Sequence, residues 1–176
     1  MSETGMEKPD LEEGQSIDVA DLLERLPLAH GMIFAEIFAK RGFSTIPVAR
    51  LLQGTGTVFA LEEQGEDLSE MRSSLDSEGL TGWVIPVECK GPSFPMPDTS
   101  VDLVTWAGSF GTTEGPSEYL KEVYRILRPQ GLLVLVDELD GLTDAKDVAT
   151  AAGFDLAEEW AIFEGHYTIV LQRPSN

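Results

Sequence analysis

Residues 34 to 49, FAEIFAKRGFSTIPVA, have the composition of a buried strand that runs through a short turn into a helix. In an open α/β sheet the first such turn is where a nucleotide-like cofactor is held. Backbone N–H groups at the helix start face the ligand there, and glycines let the main chain approach it. In this chain Phe38 and Lys40 occupy the turn, followed by Gly42. The chemistry on offer at this bend is binding, with the available room set by two bulky side chains.

Other residues that could do chemistry lack the spacing for it. The GTG at 54 to 56 follows a helical pattern and precedes a strand, whereas a phosphate-cradling glycine loop follows a strand and opens a helix; the triplet is expected to be a helix C-terminal turn. His30 and His166 stand before the first strand and in the last hairpin without a ligand-spaced partner, so both are expected to be structural or exposed. There is no G-x-S-x-G elbow, and Cys89 has no evident histidine partner. Hydrolase and metal-enzyme chemistry therefore lose support, and no catalytic or metal-binding residue is assigned.

The elements that must position the turn follow from hydrophobic period. Apolar runs rich in β-branched or aromatic residues occur at 32–37 (MIFAEI), 57–62 (TVFALE), 83–88 (WVIPVE), 101–106 (VDLVTW) and 132–139 (LLVLVDEL). Strands apolar almost throughout, alternating with helical patterns, predict a parallel sheet covered on both faces. A leading helix is expected from Ser16 through Ile17, Ala20, Leu23 and Leu26 up to Pro27. The clearest helix spans 117–127, with Pro116 at its first turn, an apolar face of Leu120, Val123, Tyr124 and Leu127, and RPQG as its stop. A helix ended by Gly153 precedes LAEEWAIF and HYTIVLQ, which predict a closing antiparallel hairpin around Glu164 and Gly165. GPSFPMPD, at 91–98, is expected to be a rigid loop.

The 176 residues suit one domain, 16–176, after a tail at 1–15 that carries acids, Gly and Pro without apolar period. One cysteine excludes an internal disulfide and fits a reducing cytoplasm. With 31 acids against 12 bases and a formal charge of -19, nucleic acid and anionic membrane are disfavoured as partners. No apolar run is long enough to anchor the chain in a bilayer. The acidic coat suits either high salt or a basic partner, and composition does not separate the two.

Three phrases in order, FPMPDTSVDLV, PSEYLKEVYRILRPQGLLVLVDE and AAGFDLAEEW, resemble the second half of class I S-adenosylmethionine-dependent methyltransferases of the type 11 kind. GFSTIPVARLLQGTGTVFALEE looks like the family's first helix and second strand, so the resemblance covers about residues 20 to 173. It implies a Rossmann-like three-layer α/β/α sandwich with a mostly parallel seven-stranded sheet, strand order 3-2-1-4-5-7-6, and a C-terminal antiparallel hairpin.

The resemblance also implies a cofactor, S-adenosylmethionine, and positions for it. The family's acid-x-Gly-x-Gly-x-Gly turn falls on Glu36, Phe38, Lys40 and Gly42, so one glycine of three is kept. The acid that grips the ribose hydroxyls corresponds to Glu62 and the acid near the adenine to Glu88. On the acceptor side, Gly108, Gly111 and Thr112 fill places where relatives often carry Asn and a His pair, and Trp106, Ser109 and Phe110 are candidates to line a substrate pocket. Lys40 and Arg41 lie where a helix macrodipole disfavours cations. Either an anionic ligand group meets them, or they pair with acids such as Glu36, Glu62 or Glu88 and plug the site. The expected function is a methyltransferase-family protein with an eroded cofactor loop, little or no S-adenosylmethionine binding, and a noncatalytic binding role toward a small molecule or protein partner. The alternative is an active methyltransferase acting on a small molecule by proximity and orientation without a general base. A nucleotide-dependent oxidoreductase is a weaker third option, opposed by the missing G-x-G-x-x-G.

Overall fold

The computed structural model describes residues 19–39, 42–138, 142–163 and 165–175. The tail at 1–15, the helix start at Ser16 and Ile17, Lys40, Arg41 and Glu164 lie outside the described residues. Seven strands form one sheet in the order β3-β2-β1-β4-β5-β7-β6. In chain order the elements are α1 (Val19–Arg25), β1 (Ile33–Ile37), α2 (Thr45–Leu52), β2 (Thr57–Glu62), α3 (Gly65–Ser77), β3 (Val84–Glu88) and β4 (Val101–Ala107). A 3-10 turn (Phe110–Thr112), α4 (Pro116–Ile126), β5 (Leu127–Glu138), α5 (Leu142–Ala151), β6 (Asp155–Phe163) and β7 (His166–Gln172) follow. The pairs among β1 to β5 are parallel, and β7 is antiparallel to both β5 and β6. The predicted architecture and strand order are those found.

Strand alternation splits the core into two layers. Phe34, Val58, Leu103, Val134 and Val136 face α1, α2 and α3, where they meet Leu22, Val48 and Met71. Ala35, Leu61, Val104, Leu133 and Leu135 face the other way, toward Leu120 and Val123 of α4 and Ala145 of α5. Among the described residues no helix is long and apolar enough to cross a membrane.

One boundary differs from expectation. The phrase RPQG does not lie between helix and strand: α4 ends at Ile126 and β5 begins at Leu127, so Arg128 to Gly131 belong to the strand. They form a bulge, because Val101 faces Leu127 while Leu103 faces Leu132. Gln130 takes a left-handed backbone, φ 67°, and its N–H donates to the Arg173 carbonyl at 2.8 Å. The guanidinium of Arg173 in turn donates to the carbonyls of Tyr124 and Leu127, which closes the end of α4.

The GTG triplet is the helix ending expected of it. Gln53 caps α2 with φ 49°, and Gly54 continues at φ 72°. Gly56 is required for a different reason: a Cβ there would stand 2.3 Å from the Met32 carbonyl oxygen. Gly56→Ala must push two backbone segments apart, and we expect a loss of about 1–3 kcal/mol in urea denaturation. An unchanged midpoint would mean that the start of β2 can shift freely.

The Pro-rich loop is fastened to α4 by Arg125, which donates to the carbonyls of Phe94 and Met96, both at 2.9 Å, and to Asp98 and Glu122. Glu122 also accepts the Phe94 N–H at 3.1 Å. The Arg125 hydrogen bond holds the Glu122 carboxyl below the ordinary carboxylate range. A depressed folded-state pKa gives stability that is present above the unfolded value, about 4.3, and lost as pH falls through the lower folded value. Glu122→Gln should therefore destabilise the protein by about 1–2 kcal/mol near neutral pH. That difference should shrink toward zero in strong acid, and a gap independent of pH would contradict the ion-pair account.

Candidate functional site

β1 is central, with β2 on one side and β4 on the other, and it is here that the strand order reverses. The crevice above the carboxyl ends of β1 and β4 is where open α/β sheets bind ligands. Glu36, one residue before the end of β1, is 2% exposed and points toward the start of α2. Its carboxylate accepts the Ser44 N–H at 3.0 and 3.2 Å, the Thr45 N–H at 2.8 Å and the Thr45 hydroxyl. Ser44 makes no side-chain cap of its own; its hydroxyl is engaged with Thr105 of β4 at 2.7 Å. Glu36 thus supplies the anion that a helix N-terminus favours. Burial pushes its carboxyl above the ordinary range, and the hydrogen bonds from Thr45 and Ser44 oppose that shift. What Glu36 does here is hold the turn.

Phe38 follows with φ 53°, the left-handed region that glycine enters freely and other residues enter at about 1–2 kcal/mol. The backbone path of a glycine turn is kept without the glycine. The ring is half-buried, with its centroid 5.7 Å from that of Trp106 and 5.3 Å from that of Tyr119. Gly42 is buried with φ 79°, and its N–H returns to the Ala39 carbonyl.

Beside Phe38 lies a cleft of about 360 Å³ lined by Phe38, Glu62, Glu63, Gln64, Ser109, Thr113, Glu114 and Tyr119. No Lys, Arg or His is among these described lining residues. Glu62 is 4% exposed and accepts the Glu63 N–H at 2.8 Å. The Tyr119 hydroxyl donates to Glu63 and so ties α4 to the segment after β2. Burial and that hydrogen bond push the phenol pKa up. Cys89, 3% exposed at the end of β3, is pushed up to about 12, first by burial and then by Glu63 and Glu62. Its thiol stays protonated near neutral pH and is no nucleophile.

The sequence candidates are thus only partly assembled. Phe38, Glu62 and Ser109 share the cleft. Glu88 is exposed at the end of β3, in register with Glu62 but outside the lining. Two expected pocket residues need correcting. Trp106 is fully buried, because strand alternation turns its side chain down among Phe110, Tyr119 and the α4 layer. Phe110 is 5% exposed and packs at 4.9 Å from the Trp106 ring. Both rings support the cleft from beneath, and Ser109 holds the Trp106 indole N–H at 2.9 Å.

The family model for "Methyltransferase domain" matches residues 41–135, more than half of the chain. This chain belongs to that family. Among curated relatives of this methyltransferase-domain chain, the ubiquinone/menaquinone biosynthesis C-methyltransferase UbiE of Marinomonas sp. (strain MWYL1) is 27% identical over 107 residues, 61% of this chain and 43% of the relative. The protein of the same name from Pseudoalteromonas translucida (strain TAC 125) is 30% identical over 96 residues, 54% of this chain and 38% of the relative. The chain therefore spans about two fifths of the length of these relatives. Among solved structures, a SAM-dependent methyltransferase from Aquifex aeolicus aligns with a TM-score of 0.84 at 18% identity, covering 89% of this chain and 90% of that one. The [4+2]-cyclase SpnF aligns at 0.79 and 15% identity, covering 90% of this chain and 81% of its own. These two likenesses carry the fold, a class I S-adenosylmethionine-dependent methyltransferase fold.

Sequence reasoning missed Glu63, Gln64, Thr113, Glu114 and Tyr119 in this methyltransferase-domain cleft. Glu63 and Gln64 could have been flagged as the residues directly after the β2 acid. Tyr119 starts the apolar face of α4 one residue before Leu120, which drew the attention instead.

Proposed function

We propose that this chain keeps the class I methyltransferase fold as a binding module, with S-adenosylmethionine held weakly or not at all and no methyl transfer in the cleft. The observation that carries this reading is the Phe38 ring. It stands at the end of β1, packed on Trp106 and Tyr119 and lining the cleft, where a glycine would leave backbone and open space. The residues present do not fit the cofactor well. The Glu36 oxygens are engaged with Ser44 and Thr45, Glu88 is outside the lining, and a ring fills part of the berth. If each bulky replacement at positions 38 and 40 costs about 1–3 kcal/mol, together they weaken binding by about thirtyfold to twenty-thousandfold.

A second reading, an active methyltransferase on a small molecule, is favoured by one observation: the cleft stays open, with Glu62 at its wall. The names of the UbiE relatives support it too, and the [4+2]-cyclase neighbour supports chemistry other than methyl transfer on such a scaffold. Calorimetry with S-adenosylmethionine and its demethylated product separates the readings. Dissociation constants weaker than about 100 μM fit the binding module. Micromolar affinity would overturn it in favour of the enzyme.

A further inference from the structure

We infer that the cleft beside Phe38 is a site for a compact methylated organic cation, of the quaternary ammonium type, rather than for a nucleoside-sized ligand. The inference rests on the binding-module reading and names the ligand class of that same cleft. Two independent features of the cavity point to this chemistry. Its walls include two aromatic rings, Phe38 and Tyr119, whose centroids lie 5.3 Å apart with planes inclined at 59°, forming a corner. Ring faces attract onium cations through their quadrupole, and paired rings are the usual means of recognising choline-like groups. The polar wall is anionic, with Glu63 and Glu114 among its carboxylates, and no basic side chain is among the described lining residues.

The same ring that narrows the berth for an adenosyl group supplies the face for an onium head. Glu63 is oriented by the Tyr119 hydroxyl, so the ring and the carboxylate are fixed relative to each other before any ligand arrives. Glu114 lines the cleft and is solvent-exposed, so its side chain is free to approach a bound cation.

The test is a calorimetric and NMR titration of the unmodified protein with choline and with its uncharged carbon isostere, dimethylbutanol. Choline should bind at least about tenfold tighter than the isostere, and the preference should weaken with added salt. Phe38→Leu keeps apolar bulk but removes the ring face, and should reduce choline affinity about three- to tenfold. Glu114→Gln, at an exposed position, should reduce it about two- to fivefold. Equal affinity for choline and the isostere, no choline binding, or a preference untouched by both substitutions would overturn the onium site. A parallel S-adenosylmethionine titration keeps the failures apart. Micromolar cofactor binding removes the binding-module reading and this inference with it, whereas cofactor exclusion without choline selectivity removes the inference alone.

Discussion

Phe38→Gly is expected to raise the affinity for S-adenosylmethionine by about five- to a hundredfold, the factor that corresponds to relieving about 1–3 kcal/mol of overpacking. The backbone at position 38 already has φ 53°, so glycine enters without strain and removes about 1–2 kcal/mol of left-handed cost. Opposing this is the loss of ring contacts with Trp106 and Tyr119, each about 0.5–1.5 kcal/mol beyond area burial. The burial of the half-buried ring is lost as well, so the variant should be about 1–4 kcal/mol less stable than the parent and still fold. Cofactor titration by calorimetry reads the gain, and combining the change with Lys40→Gly should extend it. A folded Phe38→Gly protein that gains nothing would place the obstacle elsewhere in the cleft and remove the main support for a silent relative.

The largest stability effect is expected at Glu36. Its carboxylate is the shared acceptor for the Ser44 and Thr45 amides and the Thr45 hydroxyl, all in a region closed to water. Glu36→Ala leaves these donors buried without a partner and opens a void between β1 and α2. A loss of about 3–5 kcal/mol follows from unpaired buried groups and the cavity together. Guanidinium denaturation measures it, and hydrogen exchange at the Ser44 and Thr45 amides should accelerate along with it. Glu36→Gln, which keeps shape and one acceptor, should lose less. If alanine were tolerated within about 1 kcal/mol and both amides stayed protected, the turn would have to be held by something other than this carboxylate.

The sheet was legible in the sequence because its central strands are buried on both faces and show as near-continuous apolar runs; TVFALE and HYTIVLQ match β2 and β7 to the residue. The start of β5 was not, since Arg-Pro-Gln-Gly carries the residues of a turn while the chain bulges through them as strand, held by the distant Arg173. Tertiary contacts also explain what was missed at the site. Tyr119 and Glu63 are 56 positions apart and meet only because α4 packs beside the end of β2. Glu36 matched a ligand-binding acid by position, but its partners are decided by how α2 begins, which spacing alone does not reveal. Trp106 looked like a pocket wall because it ends a strand, and the pleat turned it to the interior.

The place of β7 between β5 and β6 has a consequence for how the protein emerges from the ribosome. Of the described strands it is made last, yet it fills an interior slot and carries hydrogen bonds on both edges. At about 5–20 residues per second, translation leaves β5 with one raw border until residues 166–172 clear the exit tunnel. A nascent chain stalled ahead of that point presents an apolar ribbon to its neighbours, so holdase protection is needed most in the interval before this one late segment seals the fold.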